Sequence, residues 1–291
     1  MEAKDTFFYR NSTINCAGKL LSLDKSLVMG ILNVSPDSFY DGPNHSGIEQ
    51  ILKRAKNILE DGGDIIDVGG ESTRPGSLPI PVQDELKIII PAIKAIKENF
   101  PHAIISIDTS KAQVAEKAVQ AGAAIINDIS GGNFDKAMFS TVAALKVPYI
   151  LMHLKGKPET MQQNPFYEDV VKEVMLYFSE KISELREMGV NDIILDPGFG
   201  FGKNTSHNYT LLNRLDDFKI FNLPILAGFS RKRMINEILE TTPHEALNGT
   251  TVLNTLALTK GVNFLRVHDV KEAVEAVKII TFAQRQSNNA Y

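Results

Sequence analysis

Polar side chains recur along the sequence where short apolar runs come to an end. They stand at or next to the last residue of each run, at Asn33, Asp67, Asp108, Asn127, Asp128, His153, Asp196 and His268. If the runs are parallel strands of a barrel, their carboxyl ends converge on one rim, where active sites are found. Asn and Asp also cap the helices that follow strands, but capping does not account for two histidines. The set as a whole predicts a functional site.

Positive charge is concentrated at the predicted start of one helix. The sequence SRKR at 230–233 places three cations there. Exposed backbone N–H groups and the helix dipole already favour negative charge at such a position, so the cations indicate an anion-binding site. A solvated basic helix face is the alternative. Arg266 and His268, at the end of the last predicted strand, favour the anion site, because phosphate sites recur after the seventh and eighth strands of barrels.

A glycine-rich loop with two aromatic side chains, DPGFGFGK at 196–203, follows another predicted strand. It is not a dinucleotide fingerprint, which belongs after the first strand and needs a ribose-binding acid further along the chain. Phe199 and Phe201 would suit stacking walls for a flat ligand, and ordinary packing of the two rings is an equal alternative. The loops 33–42 and 69–77 are polar or rich in Gly and Pro. Such βα loops commonly carry function, with plain mobile loops as the alternative.

The elements that must position these residues alternate regularly. Apolar runs lie at 27–33, 64–68, 103–108, 124–128, 148–153, 192–196, 223–229 and 263–268, and helical patterns lie at 48–59, 84–98, 111–121, 168–188 and 271–281. Runs that are apolar throughout are typical of strands buried on both faces of a parallel sheet. The alternation fits an open doubly wound sheet or a closed barrel. Eight repeats favour an α/β fold of the (β/α)8 TIM barrel type.

Length is consistent with a single domain. A (β/α)8 barrel needs about 250 residues, and the chain has 291 residues with an ordinary apolar share of 43%. We expect one domain over 1–291, with a short N-terminal β-hairpin at about 1–25 and the barrel at about 26–284. Asn15 and Gly18 mark the hairpin turn.

Composition excludes several classes of protein. A net charge of −4 argues against a nucleic-acid-binding surface spread over the chain. Cys16 is the single cysteine, so an internal disulfide and a cysteine metal cluster are excluded. The N-terminus lacks the pattern of a signal peptide, and no apolar stretch reaches the ~20 residues of a membrane helix. We therefore expect a soluble, cytoplasmic protein that binds neither nucleic acid nor membrane.

Taken in order, the motifs resemble those of the dihydropteroate synthase family. MGILNVSPDSF at 29–39 and DIIDVGGESTRPG at 64–76 match the first two family signatures. The resemblance continues through SIDT at 106–109, NDISGG at 127–132, LMH at 151–153, DPGFGFG at 196–202, SRK at 230–232 and RVHD at 266–269. Several long motifs in one order, from residue 29 to residue 269, make the resemblance very specific.

The resemblance implies a transferase of folate biosynthesis, the target of sulfonamides. The family joins 7,8-dihydropterin-6-ylmethyl diphosphate to 4-aminobenzoate and releases 7,8-dihydropteroate and pyrophosphate. By resemblance, the pterin is bound by Asp108, Asn127, Asp196 and Lys232, and the diphosphate by Asn33, Thr73, Arg74, Arg266 and His268. Phe39, Pro75 and Phe201 would line the aminobenzoate pocket, and Asp41, Arg74 and Lys232 would be catalytic. The family also implies Mg²⁺ with Asn33 as a ligand, and a homodimer formed through the outer helices of the last βα units.

One position departs from the family pattern in a way that bears on the substrate. The family commonly carries serine after the Ser-Arg-Lys triplet, where this chain has Arg233. A guanidinium there could pair with the aminobenzoate carboxylate or face the solvent. Ser35, where threonine is usual, is a milder change.

Two alternative functions retain a pterin pocket. A related barrel methyltransferase would pass a methyl group from a folate to a corrinoid, but it has no diphosphate to hold and no use for Arg74, Arg266 and His268. A non-catalytic pterin-binding paralogue would keep the pocket without turnover, which the intact Asn33 and Lys232 oppose. Release of pyrophosphate separates an enzyme from a binding protein.

Overall fold

A short antiparallel hairpin precedes a ring of parallel strands in the computed structural model, which describes residues 12–34, 45–71, 80–157 and 160–288. The hairpin consists of β1 (Thr13–Cys16) and β2 (Lys19–Ser22). The parallel strands are β3 (Leu27–Asn33), β4 (Ile65–Gly69), β5 (Ile104–Asp108), β6 (Ile125–Asp128), β7 (Tyr149–Met152), β8 (Ile193–Asp196), β9 (Leu226–Ala227) and β10 (Phe264–Val267).

The order of the strands makes the sheet a nearly closed barrel. Strands that follow one another along the chain pair side by side from β3 to β8, and β10 lies between β9 and β3. A parallel bridge between Leu195 of β8 and Ile225, directly before β9, joins the two remaining edges. The (β/α)8 barrel and the N-terminal hairpin predicted from the sequence are therefore confirmed.

Helices connect the strands and form the outer layer of the barrel. They are α1 (His45–Glu60), α2 (Val82–Asn99), α3 (Ala112–Ala121), α4 (Met138–Leu145), α5 (Val170–Glu187), α6 (Thr205–Asn213), α7 (Arg233–Leu239), α8 (Leu247–Thr259) and α9 (Val270–Asn288), with a 3-10 helix at Leu215–Phe221. Local chemistry sets their ends: the Asp169 carboxylate accepts hydrogen bonds from the N–H groups of Val171 and Lys172 at the start of α5. None of the helices in the described ranges combines the length and apolarity needed to span a bilayer.

Alternate residues of each strand face the barrel interior, as strand geometry requires. Toward the amino end these residues are apolar and form one buried cluster of Leu27, Met29, Ile65, Ile104, Ile125, Ile150, Ile194, Leu226 and Phe264. Ile14 and Cys16 of the hairpin belong to the same cluster, so the hairpin closes the amino end of the barrel. The intervening strand residues pack against the helices in a second, larger cluster.

The predicted strand bounds agree with the structure to within one residue in all cases but one. The predicted strand 223–229 is reduced to β9, Leu226–Ala227. Pro224 has no N–H to donate to a ladder, although its carbonyl accepts a bond from Leu195 N–H at 2.8 Å. Beyond β9, Lys232 N–H donates to the Phe229 carbonyl at 3.0 Å, so the chain is already turning toward α7.

Candidate active site

The polar residues of the site continue the inward-facing rows of the barrel. Two or four residues beyond the apolar interior cluster, the alternation of each strand places on the same face Asp67, Ser106, Asp108, Asn127, Asp196 and Arg266. Asp108 of β5 lies in register with Asn127 of β6 and Gly69 of β4. Parallel strands with a period of two therefore bring four predicted site residues to one end of the barrel: Asp108, Asn127, Asp196 and Arg266.

Arg266 lies between two buried carboxylates. Its Nε donates to Asp67 Oδ2 at 2.6 Å, and its Nη2 donates to Asp108 Oδ2 at 2.5 Å. Asn127 Nδ2 donates to Asp67 Oδ2 at 3.2 Å. One carboxylate, Asp67, thus orients both a predicted diphosphate ligand and a predicted pterin ligand.

The interior position of these carboxylates changes their acidity. Burial raises the pKa of Asp108 to about 7, although Arg266 acts in the opposite direction and Asp67 adds to the rise. Burial lowers the pKa of Arg266, but Asp67 and Asp108 outweigh it and raise the value above the usual range for arginine. Asp108 can therefore gain or lose a proton near neutral pH, while Arg266 remains charged.

Asp196 and Lys232 form a second group at the same end. Gly198 N–H donates to Asp196 Oδ1 at 2.8 Å, and burial raises the pKa of Asp196 while Lys232 lowers it. Burial lowers the pKa of Lys232 to about 8, with Asp196 acting in the opposite direction. The Lys232 ammonium donates to the Phe199 carbonyl and lies 4.7 Å from the centre of the Phe201 ring. Lys232 therefore contacts the glycine-rich loop and lies close enough to Asp196 for each to shift the pKa of the other.

Ser230 holds the imidazole of His268. The backbone N–H of His268 donates to Ser230 Oγ at 3.2 Å, and Ser230 Oγ lies 2.9 Å from His268 Nδ1. Because Oγ accepts the backbone bond, its own hydrogen is available for Nδ1, which favours the tautomer with Nε2 protonated. Burial, followed by Arg231 and Arg266, lowers the pKa of His268 to about 4. At neutral pH this histidine is an uncharged N–H donor.

The remaining predicted residues differ in their surroundings. Asn33 is exposed at the end of β3. Phe201 is buried with Met152, Leu154 and Met161. The side chain of Arg233 is 71% exposed and pairs with Glu237 one turn along α7. Five predicted residues lie outside the described ranges: Phe39, Asp41, Thr73, Arg74 and Pro75.

Two other strand-end residues have structural partners. Asp128 accepts hydrogen bonds from the N–H groups of Ser130 and Gly132 and from the Tyr149 hydroxyl, at 2.7 to 2.8 Å. It thus stabilises the turn after β6, and it does not cap the next helix, α4, which begins at Met138. His153 contacts the buried ammonium of Lys203.

The list of site residues predicted from the sequence omitted two that the structure places against the site. Asp67 is one of the polar strand-end residues, but the sequence does not indicate its role, because its partner Arg266 is 199 positions away. Lys203 was part of the glycine-rich motif, and nothing in its sequence context indicated that it is buried. Its contacts are backbone carbonyls, which a pattern of side chains does not record.

Comparison with known proteins identifies relatives of the whole barrel. The family model for pterin binding enzymes matches residues 29–268. The dihydropteroate synthase of Escherichia coli K12 is 46% identical over 265 residues, which cover 90% of this chain and 93% of the relative. Dihydropteroate synthase of Yersinia pestis, solved with a sulfonamide drug complex, superimposes with a TM-score of 0.88 at 40% identity, covering 94% and 99% of the two chains. The enzyme of Xanthomonas albilineans, solved with 4-aminobenzoic acid, gives 0.86 at 39% identity, covering 94% and 98%.

The sequence and the barrel fold agree with these relatives over nearly their full length. The family model spans well over half of the chain, and the identity to the Escherichia coli relative far exceeds what a shared fold alone produces. The chain belongs to the dihydropteroate synthase family of pterin-binding enzymes.

Proposed function

We propose that the chain is a transferase of folate biosynthesis that condenses 7,8-dihydropterin-6-ylmethyl diphosphate with 4-aminobenzoate, giving 7,8-dihydropteroate and pyrophosphate. The observation that carries this proposal is the set of buried Asp108, Asn127 and Asp196 beside two cations, Arg266 and Lys232. Buried acceptors next to cations suit a substrate with hydrogen-bond donors at one end and a polyanion at the other.

The pterin half of the substrate matches the acceptors. A pterin carries amine and amide groups along one edge, and carboxylates accept hydrogen bonds from such donors strongly when water is excluded. Asp108 and Asp196 supply carboxylates, and the Asn127 amide can both donate and accept. Lys232, held against the glycine-rich loop, adds a cationic donor.

The diphosphate half matches the cations. When the bond between the methylene carbon and the diphosphate oxygen breaks, negative charge grows on the leaving group and positive charge spreads from carbon into the pterin ring. Arg266 and the neutral N–H of His268 stabilise the first of these charges. The neutral arylamine nitrogen forms the new bond to carbon and releases its proton to solvent, so no strong protein base is required.

Magnesium fits this arrangement with Asn33 as its protein ligand. Within the described ranges no group of three or more His, Cys, Asp or Glu side chains could hold a metal, so an all-protein cage is absent from that part of the chain. Mg²⁺ typically takes one or two protein oxygens and completes its shell with water and substrate phosphates. The exposed Asn33 amide at the end of β3 supplies such an oxygen. The ion would neutralise part of the diphosphate charge.

We further propose that the chain forms a homodimer through its last helices. Apolar side chains are exposed along α7, α8 and α9: Ile238, Leu239, Leu247, Val252, Leu256, Ile279 and Phe282. The helices α8 and α9 pack against each other, so these side chains belong to neighbouring surfaces. Extended exposed apolar surface is typical of an interface.

The assay that tests this function measures dihydropteroate and pyrophosphate from the two substrates with Mg²⁺. We expect equal amounts of both products, and none when either substrate is left out. A chain that binds the pterin diphosphate without releasing pyrophosphate would be a binding paralogue. Transfer of a methyl group from a folate to a corrinoid, with no condensation, would identify the methyltransferase alternative.

A further inference from the structure

Lys203 is a lysine whose ammonium is buried and, within the described ranges, lies beyond ion-pair distance of any carboxylate. Its side chain is 2% exposed. Burying an ammonium is costly unless polar groups replace its water. Here they do: the carbonyls of Gly198 and Phe201 lie 3.0 Å from Nζ, the His153 carbonyl 3.3 Å, and His153 Nδ1 3.0 Å.

These acceptors belong to loops that follow two adjacent strands. His153 follows β7, while Gly198 and Phe201 lie in the glycine-rich loop after β8. The loops touch so closely that a Cβ on Gly198 would lie 2.0 Å from the His153 carbonyl oxygen. Gly198 also has a φ of +70°, which side chains other than glycine rarely adopt. The close approach of the two loops thus brings the three backbone carbonyls together, and the Lys203 ammonium lies within hydrogen-bond distance of all of them.

The loop that Lys203 contacts carries groups that hold the proposed pterin ligands Asp196 and Lys232, together with Phe201 of the proposed aminobenzoate pocket. Gly198 N–H donates to Asp196, Phe199 accepts from Lys232, and Phe201 packs beside the Lys232 ammonium. Gln162, from the loop after β7, donates to the Gly200 carbonyl at 2.6 Å. If the loop moved away from β7, the Asp196 hydrogen bond and the Phe201 ring would move with it.

We propose that Lys203 is a positioning residue for pterin binding, acting as a clamp that fixes the glycine-rich loop and, through it, Asp196 and Phe201. The proposal rests on the proposed function, because it gives Asp196 its role as a pterin ligand. Lys203 itself contacts backbone and His153, not the reacting atoms.

This role depends on the protonation states of Lys203 and His153. An ammonium has three hydrogens for its four acceptors, whereas a neutral amine has two. Burial lowers the pKa of Lys203 to about 7, with Asp196 raising it and Lys232 lowering it. Burial and then Lys203 lower the pKa of His153 well below its usual value, so its ring is neutral and Nδ1 can accept. Asp196 therefore favours the charged form of Lys203, against the effect of burial.

The test compares Lys203→Met with Lys155→Met. Methionine retains the length of the side chain and removes its donors. Lys155 is the matched control, because it lies in the loop after β7 but is half exposed and paired with Glu173. Calorimetry measures binding of 6-hydroxymethyl-7,8-dihydropterin and, separately, of pyrophosphate with Mg²⁺. We expect Lys203→Met to weaken the pterin roughly tenfold or more, as loss of charged hydrogen bonds implies, and pyrophosphate less than twofold. Lys155→Met should change neither.

Three outcomes would contradict the proposed role of Lys203. Pterin affinity within twofold of wild type in a folded Lys203→Met variant would show that the loop holds its position without the ammonium. Equal weakening of pterin and pyrophosphate would indicate a general loss of structure. Lys203→Gln, which retains two donors, serves if the methionine variant does not fold, and failure of both to fold would assign Lys203 to stability alone. Failure of the wild-type chain to form dihydropteroate would instead reject the proposed function.

Discussion

At the scale of single residues, one guanidinium pairs with two buried carboxylates. Arg266 with Asp67 and Asp108 carries a net charge of −1 when all three are ionised, in an interior where water solvates none of them well. Ion pairs in such surroundings return only part of the lost solvation energy. The arrangement therefore contributes less to the stability of the fold than to the orientation of the three side chains. These groups are already in position before a ligand binds.

We expect ionisation of Asp108 to raise the affinity for a pterin without phosphate as the pH passes about 7, while loss of the ammonium charges of Lys203 and Lys232 opposes this rise. Burial raises the pKa of Asp108 to about 7, so the carboxyl is mostly protonated at pH 6 and mostly ionised at pH 8. Only the ionised form offers all of its oxygen lone pairs to pterin donors. Calorimetric titration across this range measures the effect. Asp108→Asn should bind roughly tenfold more weakly at pH 8 and lose the rising component of the pH dependence, whereas pH profiles of the same shape in variant and wild type would contradict the role of Asp108.

Arg266→Gln should weaken pyrophosphate binding more than pterin binding. The guanidinium supplies charge to the leaving group, and losing one charged contact costs about 1.5–3 kcal/mol, or roughly tenfold to a hundredfold in affinity. Pyrophosphate with Mg²⁺ should raise the melting temperature of the wild type by mass action, and that of the variant much less. Arg214→Gln is the control, since Arg214 is half exposed, pairs with Asp217 on the surface and has no role in the proposed site. Equal weakening of both ligands would mean that Arg266 supports the pocket as a whole.

At the scale of elements, we predict that the start of α7 contributes a contact to the 4-aminobenzoate carboxylate. Arg233 is the first residue of α7, and Glu237 lies on the same face one turn later. We expect Arg233→Ser to raise the apparent KM for 4-aminobenzoate, and to leave that for the pterin diphosphate nearly constant. An exposed ion pair contributes only about 1 kcal/mol, so the change should be less than roughly tenfold. Steady-state kinetics with each substrate varied in turn measure it.

Glu237→Gln provides the complementary variant at the start of α7. It removes the competing carboxylate without touching Arg233, so the guanidinium becomes more available to the substrate. If Arg233 reaches the aminobenzoate carboxylate, this variant should lower the apparent KM, and added salt should reduce the difference. If both variants match the wild type at low salt, Arg233 faces the solvent and has no role in binding.

The strands were predictable from sequence because they are apolar throughout and end in polar residues. That pattern also identified Asp108, Asn127 and Asp196 as site candidates, whereas their individual roles came from the family resemblance. The shortness of β9 was not predicted, since the run 223–229 is apolar beyond the residues that pair. The partners of Arg266 and the clamp at Lys203 were not predictable either. Both depend on contacts between distant segments, of Arg266 with Asp67 and of Lys203 with His153.

At the scale of the whole molecule, the two ends of the barrel have different chemistry. The hairpin residues Ile14 and Cys16 complete an apolar plug at the amino end. Burial raises the pKa of the Cys16 thiol to about 12, so it packs as an unreactive side chain. At the carboxyl end the same inward-facing rows change to carboxylates, amides and cations. The fold thus directs its polar interior groups to one opening of the barrel.

Leu256→Glu should convert the proposed homodimer to a monomer. Leu256 of α8 is 45% exposed, and Val252 lies on the same face one turn earlier. A carboxylate buried in an apolar interface loses several kcal/mol of solvation, enough to weaken association by about a hundredfold or more. Leu176→Glu on α5 is the matched control, because Leu176 is 55% exposed but lies outside the last helices. Sedimentation velocity at micromolar concentration should show a monomer for Leu256→Glu and a dimer for wild type and Leu176→Glu. A wild-type monomer, or a dimer that survives Leu256→Glu, would show that this face of α8 is not the interface.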